Sequence, residues 1–205
     1  MKVVQIAGYL GSGKTTLIIA LSKQIARDGT RVAILVNDVG VVPVDGAVMQ
    51  EYGLTVKDIG GGCICCQVAG SLMKTLDTLA NDIRPDIVII EPTGIAVPGA
   101  IRQTVLLSAR KHPVENGHTV VLFDTSRASK LLTYDTLKRL VSLQIKDATI
   151  IGLSKSDLVV ASEIEAASRA VREINPHAEI VRLSAVSGEG LSLIAGRIKS
   201  AAGAA

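Results

Sequence analysis

The chain has 205 residues, 48 % hydrophobic and 20 % charged, with a formal net charge of +3; that is enough apolar surface for one domain with an aliphatic core over residues 1–205. Three Tyr, one Phe and no Trp leave little for bases to stack on, and no run of Lys or Arg offers a polyanion a footprint, so nucleic acid is excluded as an expected partner. No apolar run approaches the roughly 20 residues that cross a bilayer, and the amino terminus lacks the regions of a secretory signal, so no membrane and a cytoplasmic location are expected.

In chain order, apolar β-branched runs alternate with helical patterns. KVVQIA (2–7), RVAILVND (31–38), DIVIIEPT (86–93), TVVLFDT (119–125), TIIGLSKSD (149–157) and EIVRLSA (179–185) are continuous rather than alternating, as strands buried on both faces should be. After the first run, residues 14–28 place Leu17, Leu21 and Ile25 on one stripe and end at Asp28-Gly29, a helix stop. Residues 162–174 stop before Asn175-Pro176, and residues 189–200 carry Leu191, Ile194 and Ile198 on one face. The last five residues, AAGAA, form a tail expected to fray. The alternation predicts an α/β fold, a mostly parallel sheet flanked by helices on both faces.

The first strand runs into GYLGSGKTT, which fits G-x-x-x-x-G-K-[ST] with Gly8, Gly13, Lys14 and Thr15. In such a loop the backbone N–H groups curl round a β-phosphate; here Gly11, Ser12 and Gly13 would supply them. Lys14 would bridge the β- and γ-phosphates and the Thr15 hydroxyl would ligate Mg²⁺. The following helix, with Thr16 in its first turn, adds its N-terminal dipole. The plain alternative is a strand-to-helix turn that happens to hold glycines. Of the two, the spacing favours an NTPase phosphate loop.

Two later segments bear on the base. SKSD, with Ser154, Lys155 and Asp157, ends one strand run, and Ser184-Ala185 ends the next. Asp157 can accept from guanine N1–H and N2–H₂, Lys155 can lay its stem along the ring, and the Ala185 amide can reach O6. Adenine lacks that pair of donors. A solvated surface turn is the other reading, and the location at strand carboxyl ends, where open α/β sheets bind ligands, argues against it.

All three cysteines, Cys63, Cys65 and Cys66, lie in DIGGGCICCQVAG (58–70). On an extended strand Cys66 points away from the other two, and the preceding glycines permit the bend that would gather all three. Three thiolates at about 2.3 Å fill most of a tetrahedral Zn²⁺ site and leave one position open. Sulfur ligands suit Zn²⁺ or Cu⁺, and thiolates also hold Ni²⁺ or Co²⁺. Burial as small apolar residues is the alternative. Redox pairing is disfavoured, because adjacent Cys65 and Cys66 are badly placed for a disulfide. His112, His118 and His177 show no ligand spacing and read as surface or packing residues.

The order GYLGSGKTT, NDVG, GGGCICC, EPTG, SKSD and SAVSGEGL resembles the metal-handling GTPases of the CobW, urease-accessory and hydrogenase-maturation group over nearly the whole chain. Ser154 stands where that group usually has Asn, and Asn37-Asp38 is closer to the urease-accessory pattern than to the CobW one. The chain stops where CobW proteins usually begin a second domain, which implies a single GTPase domain. The resemblance implies roles for further residues: Asp38 as a carboxylate that holds Mg²⁺ or positions water, Glu91 as a carboxylate acting on Mg²⁺ through bound water, and Gly94 as an N–H donor to the γ-phosphate. It implies a GTP-binding metallochaperone that hydrolyses GTP to GDP and phosphate and delivers a transition metal to a client metalloprotein or cofactor pathway. A homodimer dependent on nucleotide or metal would fit it. No Gln or Arg is marked as an accelerator, so unaided turnover is expected to be slow. Two other readings stay open: a GTP-dependent switch with a structural metal and no delivery, and a small-molecule kinase sharing only the phosphate loop.

Overall fold

The structure, a computed structural model, describes residues 1–36, 55–58 and 67–200. Asp38, Cys63, Cys65, Cys66 and the tail 201–205 lie outside the described residues. The strands are β1 (Lys2–Gly8), β2 (Val32–Val36), β3 (Thr55–Asp58), β4 (Ile87–Glu91), β5 (Glu115–Asp124), β6 (Ile150–Ser154) and β7 (Glu179–Leu183). They form one sheet in the order β3-β2-β4-β1-β5-β6-β7, and every pairing is parallel. The helices are α1 (Lys14–Ala26), α2 (Gln67–Thr78, followed by a π turn Leu79–Ile83), α3 (Pro98–Ser108), α4 (Ala128–Thr133), α5 (Asp135–Lys146), α6 (Ala161–Ile174) and α7 (Leu191–Lys199). Among the described residues no helix is long and apolar enough to cross a membrane.

The pleat sorts the apolar residues into two layers. Val4, Ile6, Ile34, Ile89, Val120 and Leu122 face α1 and α7, meeting Leu17, Leu21, Ile25, Ile194 and Ile198. The opposite face is covered in two parts. Val3, Leu35, Val88 and Ile90 pack under Leu72 and Leu76 of α2 and Val105 of α3. Val121, Phe123, Ile151 and Leu153 pack under Leu131, Val141, Ile145, Ile164 and Val171, from α4, α5 and α6. Because strands buried on both faces need apolar residues at every position, the continuous runs in the sequence are the sheet.

Two elements depart from the sequence reading. β5 begins at Glu115 rather than near Thr119, since its first residues pair with Lys2 and Val3 across a register shift yet are too polar to read as a buried strand. β3, TVKD, is a four-residue edge strand, and its composition carries no strand signal. All strands being parallel, their carboxyl ends share one edge, where the predicted nucleotide residues Gly8, Glu91 and Ser154 fall.

Candidate functional site

The phosphate loop is a backbone construction. Gly8 has φ 138° and Gly13 φ 92°, both in the region that glycine alone tolerates easily. A Cβ on Gly8 would also stand 2.5 Å from the Leu122 carbonyl, so the residue serves the close passage of β1 beside β5 as well as the turn. Ser12 N–H donates to the Tyr9 carbonyl at 3.1 Å and Leu17 N–H to the Gly13 carbonyl at 2.9 Å, closing the loop into α1. Ser12 is fully buried, and its hydroxyl has no protein partner. Lys14 is also buried, 6 % exposed.

Thr15 opens α1, and its hydroxyl donates to Glu91 Oε1 at 2.7 Å. Glu91 ends β4, the strand beside β1, and is 3 % exposed. A hydroxyl and a carboxylate side by side at the mouth of a phosphate loop are hard oxygen donors of the kind Mg²⁺ takes. The turn after β4 reaches the same place: a Cβ on Gly94 would stand 2.6 Å from Leu10 Cδ2 and 2.8 Å from Leu10 N. Only a residue without a side chain lets that turn lie on the phosphate loop.

The base end is a side-chain construction. A cavity of about 390 Å³ runs from Ser12, Gly13 and Thr16 to Ser154, Lys155 and Asp157 beyond β6 and to Ser184 and Ala185 beyond β7, with Leu158 and Val186 on its walls. Its size is within the range of small-molecule sites. Of the predicted residues, the structure brings Ser12, Gly13 and Thr16 of the phosphate loop to one cavity with Ser154, Lys155, Asp157, Ser184 and Ala185. A larger cavity of about 560 Å³ lies at the amino ends of the strands, against Met1, Arg31 and Asp86, and none of the predicted site residues lines it.

Lys155 takes a left-handed backbone, φ 58°, and its ammonium donates to Asp124 Oδ2 at 2.7 Å. Asp124, fully buried at the end of β5, is a hub. Its Oδ1 accepts from the Ser126 hydroxyl at 2.6 Å and the Ser126 N–H at 3.1 Å, and its Oδ2 accepts from Arg127 Nε at 2.7 Å. Arg127 Nη2 then donates to the Leu10 carbonyl of the phosphate loop at 2.7 Å. Burial alone would raise the Asp124 pKa, but the bonds from Lys155, Ser126 and Arg127 outweigh it and hold the carboxyl below the usual carboxylate range. Thr125 braces the same corner by donating to the Ser154 carbonyl at 2.7 Å. The Ser154 hydroxyl turns inward to the Phe123 carbonyl, and Ser156 ties the loop to Glu189 Oε2 at 2.6 Å.

Asp124 and Arg127 escaped the sequence reading. Their one local signal is the D-x-x-R spacing at a strand end. The histidines stand apart from the cavity: His112 pairs with Asp77 at 3.0 Å, His118 Nδ1 lies 3.0 Å from the Thr149 hydroxyl, and His177 is exposed. Among the described residues no group of three or more His, Cys, Asp or Glu is placed to hold a metal ion.

Comparison with known proteins fits this geometry. The CobW/HypB/UreG nucleotide-binding domain pattern matches residues 2–182. The zinc chaperone YeiR of Escherichia coli is 42 % identical over 96 residues, 47 % of this chain and 29 % of its own. The zinc-regulated GTPase metalloprotein activator 1 of Schizosaccharomyces pombe is 30 % identical over 190 residues, 86 % of this chain and 44 % of its own. The zinc chaperone YjiA of Escherichia coli is 30 % identical over 186 residues, 87 % of this chain and 56 % of its own. The chain therefore spans about half or less of the length of these relatives. In fold it is similar to the hydrogenase maturation factor HypB of Archaeoglobus fulgidus, with a TM-score of 0.69 at 20 % identity over 96 % of this chain and 87 % of that one.

Proposed function

The chain belongs to the CobW/HypB/UreG nucleotide-binding domain family, and on that premise we propose that it is a GTPase whose nucleotide state governs the handling of a transition metal. The observation that carries the reading is the single cavity joining the phosphate loop to Asp157 and Ala185. The loop amides and Lys14 would take the β- and γ-phosphates, and Asp157 would accept from guanine N1–H and N2–H₂ while the Ala185 N–H reaches O6. The reaction is attack of water on the γ-phosphate, giving GDP and phosphate. Thr15 and Glu91 would hold Mg²⁺, whose charge offsets that of the phosphate oxygens. Gly94 N–H would donate to the γ-phosphate, and Asp38 is assigned to the water or the Mg²⁺ shell.

For the metal, the supporting facts are the Cys63, Cys65 and Cys66 cluster and the zinc named in the relatives' descriptions; Zn²⁺ is the cargo we assign. Sheet register supports communication between the two sites. Val36 is the partner of both Glu91 and Asp58, so Asp58, from which the chain leaves β3 toward the cysteines, sits about 10 Å from Glu91, two strand spacings away. Delivery to a client metalloprotein and a nucleotide-dependent dimer complete the proposal.

The test is direct binding and turnover. Fluorescent GDP should bind far more tightly than fluorescent ADP, and purified protein should release phosphate from GTP slowly. Zn²⁺ competition against a chromophoric chelator should give different affinities in the GDP state and with a non-hydrolysable GTP analogue, and Cys65→Ala should remove the difference. Equal ADP and GDP affinity would defeat the guanine assignment. Equal Zn²⁺ affinity in both nucleotide states would leave a GTPase whose metal is structural.

A further inference from the structure

Gln144 lies in the last turn of α5 and is 1 % exposed. Its amide nitrogen donates to two carbonyls of a single turn, Gly94 at 3.0 Å and Ala96 at 2.9 Å. That turn is closed by Ala96 N–H donating to the Thr93 carbonyl at 2.9 Å. Three residues on, Asp147 Oδ2 accepts from Gly99 N–H in the first turn of α3 at 2.8 Å, so the end of α5 grips the segment at two points. On its other side the turn lies against Leu10 of the phosphate loop, with no room for a Cβ on Gly94. The Thr93–Ala96 turn is therefore clamped between the phosphate loop and α5, and both protons of the Gln144 amide are spent on holding it. A buried carboxamide with both donors used on one turn is a costly device to lose, because its removal takes the donor away from two carbonyls at once.

We propose that Gln144 is a positioning residue for γ-phosphate recognition: it fixes the turn that carries the Gly94 N–H, and so sets how well the site tells a triphosphate from a diphosphate and how fast the γ-phosphate is attacked. The proposal rests on the GTPase reading. Gln144 touches no nucleotide itself. It acts through the Gly94 and Ala96 carbonyls, holding the neighbouring peptide plane so that the donor is oriented before the transition state forms. GDP lacks the γ-phosphate that the Gly94 N–H would meet, so its affinity should depend little on the turn.

Gln144→Met keeps length and burial and removes both donors. For wild type and variant, the affinities of GDP and of a non-hydrolysable GTP analogue are measured with Mg²⁺, together with kcat and KM for GTP. The expected result is GDP affinity unchanged within about twofold, analogue affinity reduced about tenfold, and kcat reduced about 10-fold to 100-fold. A purely structural role would lower both affinities and the melting temperature together. That result, or an unchanged analogue-to-GDP ratio and kcat, overturns the proposal. Should Gln144→Met prove insoluble, Gln144→Asn, one methylene shorter and able to reach fewer of the two carbonyls, is expected to move the same ratio in the same direction, and an unchanged ratio there overturns the proposal equally. Wild-type protein without GTP binding or hydrolysis defeats the GTPase reading instead, so the two failures are distinct.

Discussion

The two ends of the proposed nucleotide cavity are built by opposite means. At the phosphate end the shape resides in the backbone, in positive φ at Gly8, Gly11 and Gly13 and in N–H to carbonyl bonds that lead into α1. At the base end it resides in side chains, chiefly a buried Asp124 that gathers Lys155, Ser126 and Arg127. A backbone cradle tolerates change everywhere except at its glycines and at the groups that touch phosphate. A side-chain hub fails as a unit when its centre is removed, because Lys155 and Arg127 then lose their counter-charge and Ser126 its acceptor.

The largest effect should come from Lys14 at the phosphate end. Lys14→Ala should lower GTP turnover by about 1,000-fold with an unchanged far-ultraviolet circular dichroism spectrum, if the cradle's shape resides in its glycines and backbone bonds; unfolding of that variant would break the distinction. Next, Asp157→Asn should weaken GTP by about 100-fold and gain xanthosine triphosphate, whose ring offers a carbonyl where guanine offers its amino group. The measurement is competition against fluorescent GDP.

Asp124→Asn should act on both ends at once, costing about 3 kcal/mol of stability in urea unfolding and weakening GDP about tenfold. It also carries a pH signature. The Asp124 carboxyl is held below its ordinary value, so the stability it confers is present above the unfolded-state pKa near 3.9 and is lost as pH falls through the lower folded-state value. Wild-type unfolding free energy should therefore decline on acidification below about pH 4, and Asp124→Asn should flatten that decline. The smallest effect belongs to Arg127→Ala. Losing its bond to the Leu10 carbonyl and its bond to Asp124, which Lys155 and Ser126 still hold, should weaken GDP about fivefold and leave base preference intact. A changed base preference would show that the two ends are less separable than their construction implies.

The same contrast explains what the sequence disclosed. Gly8, Gly13, Lys14 and Thr15 are legible because a backbone motif is a matter of near neighbours in the chain. The place of SKSD and Ser184-Ala185 on the cavity is legible because both follow apolar runs, and open α/β sheets put their cavities at strand carboxyl ends. Asp124, Arg127 and Gln144 are silent, as each acts on a partner distant in sequence: 31 residues to Lys155, 117 to Leu10 and 50 to Gly94. No short window contains such a relation. The sheet followed from the continuous apolar runs, while β3 and the polar start of β5 are strands only because a neighbour pairs with them. Asp38 and the cysteines lie outside the described residues, and their assigned roles rest on chemistry and family.

The strand order has a consequence for the chain as it is being made. β1 lies between β4 and β5, so the phosphate loop, encoded within the first fifteen residues, gains both walls only once residue 124 has left the ribosome. The base wall waits for Ala185. At translation speeds of roughly 5 to 20 residues per second, that interval is on the order of ten seconds or more. Until β5 is made, the apolar β1 has no parallel neighbour on one or both edges and is a target for chaperones or for the wrong strand. Nucleotide bound as proposed cannot shorten the wait, because the segments that would grip its two ends lie 170 residues apart, from Thr15 to Ala185. It would stabilise the domain only once both segments are made, and the cell's supply of it would have no hold on the chain before then.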